Sequence, residues 1–346
     1  MQPMSFYVNK HFIPVANKPL IYYPLEAVAE AGIKDVAITY NPGGLEMAQE
    51  FIGDGSKWGV KITYILQPKP LGLANIFQVC EKFVAGDRFL LHLGDNIFAE
   101  GIKSYVDYFL KSKPDWMVLM VHHHDNTRLG VPYFDKKGKL VKYVEKPTNP
   151  PHDYAIPGLY FFNPEIFKCF SGKGAIQPSE RGEYEISAPF QWLIDNGYNV
   201  EVKEYKGRWL DPGKLTDWIE ANQYLIDRSA VKRIETKVDK SVKLFGRVSL
   251  GKKGAVVNSE IRGPVLIGDG VTITDSYIGP YTAIGDDCLI QGSHVENCVL
   301  MNSVKVTNVK SQIDNSLIGP ESEITGNDGH KNCLEFFVGE KAKIKL

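Results

Sequence analysis

The chain has two hydrophobic regimes, and the period changes near residue 240. Before that point, short apolar runs at 36–40, 61–65, 89–93, 116–121 and 155–162 have strand character. They alternate with helical periodicity at 20–31, 45–52, 74–83, 102–110, 164–170 and 179–196. Asn17-Lys18-Pro19 marks the first helix start, because proline is tolerated where an N–H has no intrahelical partner, and Gly32 is the stop. Residues 130–134 and 140–144 alternate around Asp135-Lys136-Lys137-Gly138, the pattern of a hairpin. Strand and helix alternating up to about residue 228 predict a doubly wound, Rossmann-like α/β domain carrying an antiparallel insert.

Beyond residue 240 the helix signals stop and apolar-Gly units recur, among them Leu250-Gly251, Ile267-Gly268, Ile278-Gly279, Ile284-Gly285 and Ile318-Gly319. Ile267, Ile273, Ile278, Ile284 and Ile290 are spaced by 6, 5, 6 and 6 residues, a hexapeptide repeat. Each isoleucine would fill the inside of a triangular coil, which predicts a parallel β-helix. The expected domains are therefore 1–228, a linker 229–239, and a β-helix 240–346.

Composition narrows the partners. With 40 Lys and Arg against 41 Asp and Glu the net charge is -1, so no global field favours nucleic acid or an anionic membrane. An anionic ligand must be held by local residues. The five cysteines form no C-x-x-C pair, which argues against a zinc knuckle or a disulfide framework and for a reducing cytoplasm. No apolar segment is long enough to span a bilayer, and residues 1–10 lack the apolar centre of a signal peptide.

The chemistry gathers at strand ends. Leu93-Gly94-Asp95-Asn96 puts a carboxylate where a buried parallel strand turns, the place where open α/β sheets bind ligands, and Trp209-Leu210-Asp211 repeats the arrangement. Asp95 and Asp211 could share one Mg²⁺. In Gln67-Pro68-Lys69-Pro70-Leu71-Gly72, the glutamine can pair with a pyrimidine edge and the glycine can let backbone approach a ring; a proline-braced turn is the other reading. Lys146 suits a phosphate and Glu145 sugar hydroxyls, although strand alternation points them apart unless Pro147 bends the chain. Arg181 near a helix start suits an oxyanion or a surface cap. His122-His123-His124 alternate across a strand, an arrangement that rarely converges on one ion.

Taken in order, Pro14-Val15-Ala16-Asn17-Lys18-Pro19, Gly53-Asp54-Gly55-Ser56, Gln67 to Ala74, Leu93-Gly94-Asp95-Asn96, Glu145-Lys146-Pro147, Arg181-Gly182-Glu183 and Trp209-Leu210-Asp211 resemble the glucose-1-phosphate thymidylyltransferases. The repeats resemble the long form of that family, in which a left-handed β-helix follows the nucleotidyltransferase domain. The resemblance implies Mg²⁺-dependent attack of a glucose 1-phosphate oxygen on the α-phosphorus of dTTP, giving dTDP-glucose and pyrophosphate. It implies that Gln67 and Gly72 recognise thymine, and that Asp95, beside the nucleotide, holds Mg²⁺ with Asp211. Glu145 and Gly130 would touch the glucose hydroxyls. The catalytic cations would be Lys146 and Arg181 on the sugar phosphate and Lys10 near the nucleotide phosphates. A homo-oligomer without nucleic-acid or membrane partners is expected.

Departures qualify the likeness. The family begins with a buried strand and a G-x-G-T-R-L-x-P loop that grips the triphosphate, of which only the tail remains as Met1-Gln2-Pro3. Met1 is accordingly expected to be internal, and loss of a middle strand should harm folding and catalysis. Leu129 before Gly130, His11, and Pro212 after Asp211 also depart from the family pattern and leave the sugar preference open. Two other readings stand: a non-catalytic nucleotide-sugar binder or regulatory subunit, and acyl transfer in the β-helix with His294 as base. Pyrophosphate release from dTTP and glucose 1-phosphate with Mg²⁺, measured on the present chain and on a version with the strand and loop restored, tests this: turnover by the restored version alone would uphold the resemblance and mark an impaired start. Activity in the present chain would place the phosphate grip in another segment.

Overall fold

The computed structural model describes residues 9–180 and 182–326. Two compact units result, one running Tyr22–Trp209 and the other joining the chain before it to the chain after it. The first half of the chain contains β1 (Pro14–Val15), β2 (Lys18–Pro19), α1 (Tyr22–Glu30), β3 (Asp35–Tyr40), α2 (Leu45–Ile52), β4 (Lys61–Leu66), α3 (Asn75–Val84), β5 (Phe89–His92), β6 (Ile97–Phe98) and α4 (Lys103–Ser112). There follow β7 (Trp116–His122), β8 (Gly130–Phe134), β9 (Leu140–Glu145), β10 (Tyr154–Ala155), β11 (Leu159–Phe162), α5 (Ser187–Asp195), β12 (Val200–Glu204), β13 (Trp209–Leu210) and α6 (Leu215–Ser229).

In the unit Tyr22–Trp209 the sheet order is β10-β7-β11-β5, with β12 parallel beside β7 and β11 antiparallel to both of its neighbours. Successive residues of β7 serve two cores. Trp116 and Val118 pack with Phe77 of α3 and Phe190 of α5, while Met117, Leu119 and Val121 pack with Val28 of α1 and Phe109 of α4. A strand covered by helices on both faces has no polar side, which is why this run reads as continuously apolar. The doubly wound α/β expectation holds.

β3 and β4 form a separate parallel pair. Val36 of β3 and Leu90 of β5 border the same apolar core, yet β3 pairs only with β4 and β5 only with β11 among the described residues. Residues 89–92, expected as a buried parallel strand, are half-buried and, among the described residues, pair antiparallel with β11 alone.

Two other expectations are corrected. The strand expected over 155–162 is broken at Ile156-Pro157-Gly158, because Pro157 has no N–H and the Gly158 N–H goes to Asn96 Oδ1 at 2.9 Å instead of a ladder partner. The helix expected from residue 179 begins at Ser187. Upstream, Tyr184 donates its N–H to the Leu71 carbonyl (2.7 Å) and accepts from the Ala74 N–H (3.0 Å), so its backbone is committed to a loop.

In the other unit, β1 and β2 form a hairpin whose two turn residues, Ala16 and Asn17, have φ of 50° and 58°. Asn-containing two-residue turns favour this left-handed backbone, so Asn17-Lys18-Pro19 closes a hairpin where a helix start was expected. The Asn17 Nδ2 then donates to the Leu266 and Ile284 carbonyls at 3.2 and 2.7 Å. Asn222 on α6, 0% exposed, accepts from the Ala16 N–H (2.9 Å) and donates to the Tyr281 carbonyl (3.0 Å). Trp218 adds a bond from its indole N–H to the Pro14 carbonyl. Hairpin and helix are thereby tied to the coil.

Among the described residues the coil is built of three parallel sheets of six, five and five strands. Its register, Lys243 to Glu260 to Tyr277 to His294, advances 17 residues per turn, three of the short spacings read from the sequence. Ile273, Ile278, Ile284 and Ile290 are 0% exposed and form its core. Asn258, Asp275, Gly292 and Asn308 repeat a left-handed corner, the conformation that Gly, Asn and Asp tolerate best. Ser259, Ser276 and Ser293 follow those corners and satisfy buried backbone: the Ser276 N–H donates to Ser259 Oγ at 3.1 Å, and the Ser293 N–H to Ser276 Oγ at 3.2 Å. Among the described residues no helix is long and apolar enough to cross a membrane.

Asn222→Ala would leave a buried N–H and a carbonyl without partners. It should destabilise this unit by about 2–4 kcal/mol, read as a lower denaturation midpoint.

Candidate active site

Within the unit Tyr22–Trp209, the loop after β4 is fixed by its own side chains. Gln67 Nε2 donates to Asn75 Oδ1 at 3.2 Å and approaches the Gly72 carbonyl at 3.4 Å. Asn75, buried at the start of α3, passes the contact on to Gln78 through its Nδ2 (2.9 Å). Gly72 has φ +92°, and a Cβ there would lie 2.6 Å from the Tyr184 carbonyl oxygen. Close backbone packing against Tyr184 therefore accounts for this glycine, while the Gln67 Oε1 remains as a hydrogen-bond acceptor.

Asp95 follows β5 as the strand pattern required. Its neighbour Asn96, 3% exposed, was not assigned a role from sequence, yet it holds the turn together. Asn96 Oδ1 accepts from the Gly158 N–H (2.9 Å) and from the Trp209 indole (2.8 Å), and its Nδ2 donates to Asp95 Oδ1 (2.9 Å). The only sequence signal is an amide directly after the strand-end aspartate. His92, which precedes the turn, donates from Nδ1 to the Leu93 carbonyl (2.9 Å), and burial pushes its pKa down to about 4, so the ring stays neutral.

β8 and β9 pair Gly130 opposite Glu145. Glu145 Oε2 accepts from the Tyr143 hydroxyl at 3.2 Å, and Oε1 lies 3.9 Å from Lys146 Nζ. Strand alternation would separate Glu145 from Lys146, but Lys146 leaves the extended region with φ 49°, so the two charges approach each other. Burial raises the Glu145 pKa most and Glu185 raises it further; Lys146 and the Tyr143 hydrogen bond oppose the shift. Tyr143 is itself buried, and a Cβ on Gly130 would run into its hydroxyl. Sequence reading missed Tyr143; the signal was its place two residues before Glu145, on the same face of the strand.

In the other unit, Lys10 opens a single 3₁₀ turn that Asn9 caps by accepting the His11 N–H (3.1 Å). Lys10 Nζ lies 3.6 Å from Asp211 Oδ1, both side chains being partly buried. A cation thus faces one of the two carboxylates proposed for the metal. Arg181 lies outside the described residues, and the helix it was expected to precede starts at Ser187. His122 bonds Asp153 (2.9 Å) and His123 stacks on His124 at 4.7 Å, and among the described residues no three metal-ligating side chains converge. His294 lies on a coil strand, edge-on to Tyr277 at 4.3 Å, with Nε2 3.7 Å from Glu296.

The chain is similar to known proteins over its whole length. The nucleotidyl transferase family profile matches residues 1–228. A glucose-1-phosphate thymidylyltransferase of Streptomyces antibioticus is 38% identical over 347 residues, covering 100% of this chain and 96% of that protein. Another, of Streptomyces griseus, is 34% identical with the same coverage. A crystal structure from Bacillus anthracis, assigned as a glucose-1-phosphate thymidylyltransferase and holding sucrose, superposes with a TM-score of 0.59 at 33% identity, over 64% of this chain and 88% of that one.

Gly130→Ala should force the Tyr143 ring to move and cost about 1–3 kcal/mol of stability, the range for overpacking a filled site. Chemical denaturation measures it.

Proposed function

The chain belongs to the nucleotidyl transferase family, among the glucose-1-phosphate thymidylyltransferases, and from that membership we infer that it transfers a thymidylyl group from dTTP to glucose 1-phosphate. The observation that carries the reading is the 38% identity to a named thymidylyltransferase over 100% of the chain, coil included. An oxygen of the glucose 1-phosphate forms a bond to the α-phosphorus of dTTP. The α–β bridge breaks, pyrophosphate leaves, and dTDP-glucose remains. No protein nucleophile is required, so the protein's work is positioning and charge neutralisation between two anions.

We assign the roles as follows. Gln67 offers thymine its Oε1 acceptor, with Gly72 fixing the loop against Tyr184. Glu145 and Gly130 receive the sugar hydroxyls, Lys146 and Arg181 its phosphate, and Lys10 the nucleotide phosphates. Asp95 and Asp211 are hard oxygen donors that suit Mg²⁺. Since no protein group of three ligands converges among the described residues, the substrate phosphates would complete the coordination, the usual arrangement for this ion. When bound, Mg²⁺ would neutralise charge on the triphosphate. Cytoplasmic residence accords with the free, buried cysteines Cys80, Cys169, Cys288 and Cys298. A homo-oligomer accords with exposed apolar side chains on the coil, Phe245 and Val257 among them.

The test is formation of dTDP-glucose and pyrophosphate from dTTP, glucose 1-phosphate and Mg²⁺. No product, with dTDP-glucose still bound, would favour a non-catalytic binder. Lys146→Ala should lower kcat/KM for glucose 1-phosphate by about 10²-fold while the KM for dTTP changes little, as expected when one charge-assisted contact to a phosphate is removed.

A further inference from the structure

The face of the β8–β9 hairpin that carries Glu145 is built to hold its carboxylate in one orientation. Tyr143 and Glu145 are two residues apart on β9 and share a face, and Gly130 stands opposite Glu145 on β8. Tyr143 is 4% exposed and Tyr160 is 3% exposed, and the two phenols lie near enough to raise the Tyr143 pKa further above its ordinary value, burial being the main cause. The Tyr143 ring meets Phe190 edge-on at 5.2 Å, and Tyr160 packs on the same Phe190 at 4.9 Å. Both tyrosines belong to the apolar core around Trp116 and Phe162. A phenol in such a core must spend its O–H on a specific partner, and for Tyr143 that partner is Glu145 Oε2 at 3.2 Å.

We propose that Tyr143 is a positioning residue for sugar recognition: held by Tyr160 and Phe190, its hydroxyl fixes Glu145 Oε2 and leaves Oε1 directed to a sugar hydroxyl. This rests on the assignment of Glu145 to the sugar. Gly130 is part of the same device, since any side chain there would collide with the Tyr143 hydroxyl. Unanchored, the carboxylate would have to be ordered at the moment of binding, and affinity for the hydroxyl it reads would fall. The charged or titratable groups facing Glu145 are Lys146, Glu185, Tyr143 and Tyr160. The Tyr143 bond is one of the two influences that lower the Glu145 pKa, so its removal should raise that pKa and start the acidic loss of sugar binding at a higher pH.

Tyr143→Phe deletes one oxygen and keeps the ring in its place. Calorimetric titration of the full chain with glucose 1-phosphate should show affinity lower by about 10-fold, the value of one hydrogen bond to a charged group. Affinity for dTTP should be unchanged, and the acid limb of glucose 1-phosphate binding should move to higher pH. Glu145→Gln and the double variant complete a cycle, in which the two losses should fall short of additivity. Unchanged sugar affinity in Tyr143→Phe, equal losses for dTTP and sugar, or strict additivity would each overturn the proposal. Failure of the unaltered chain to bind glucose 1-phosphate, while it still binds dTTP, would instead overturn the assignment of the sugar site on which the proposal stands.

Discussion

The central sheet is buried on both faces, and that constraint determines where chemistry can be placed. β7 gives Trp116 and Val118 to one core and Met117, Leu119 and Val121 to the other, so the middle of the strand has no surface on which to carry a charge. Polar function is displaced to strand ends and to the hairpin at the side. Asp95 stands just past β5, Glu145 ends β9, and Asp211 follows β13. Each is followed or faced by a group that orients it: Asn96 for Asp95, Tyr143 for Glu145, Lys10 for Asp211. Carboxylates brought near anionic substrates in a partly buried site need such partners, because an unpaired buried charge is costly.

The coil solves a different problem with a simpler rule. About seventeen residues make one turn, each turn contributes apolar residues to a single internal core, and corners fall on residues that accept a left-handed backbone. Its value to the rest of its unit lies in backbone carbonyls that a side chain can reach. Asn17 and Asn222 use them, and between them they connect the hairpin and α6 to successive turns. Lys10 and Asp211 lie on the two segments held in this way. The coil is thus mechanically continuous with the residues assigned to the nucleotide phosphates.

Patterns that depend on a single period were legible in the sequence. The isoleucines at 6, 5, 6 and 6 residues fixed the coil, and the apolar runs located most of the α/β strands within a residue or two. Local rules with two outcomes were less safe. Asn17-Lys18-Pro19 satisfied the rule for a helix start and also the rule for a two-residue turn, and pairing of Pro14 with Pro19 decided for the turn. The segment before α5 looked helical, but a loop more than a hundred residues earlier in the chain claimed Tyr184 through Leu71 and Ala74, a long-range contact that no local pattern reports.

By itself the sequence determined the fold class, the change from sheet-and-helix to coil, and the residue types at the strand ends, because periodicity and turn chemistry act within a few residues along the chain. Only the tertiary structure decided what holds those residues in place. Asn96 reaches Trp209, Tyr143 meets Tyr160 and Phe190, and Asn222 bridges Ala16 to Tyr281. Such partners are set by which faces pack together, and packing brings together residues whose separation along the chain carries no signal of their contact.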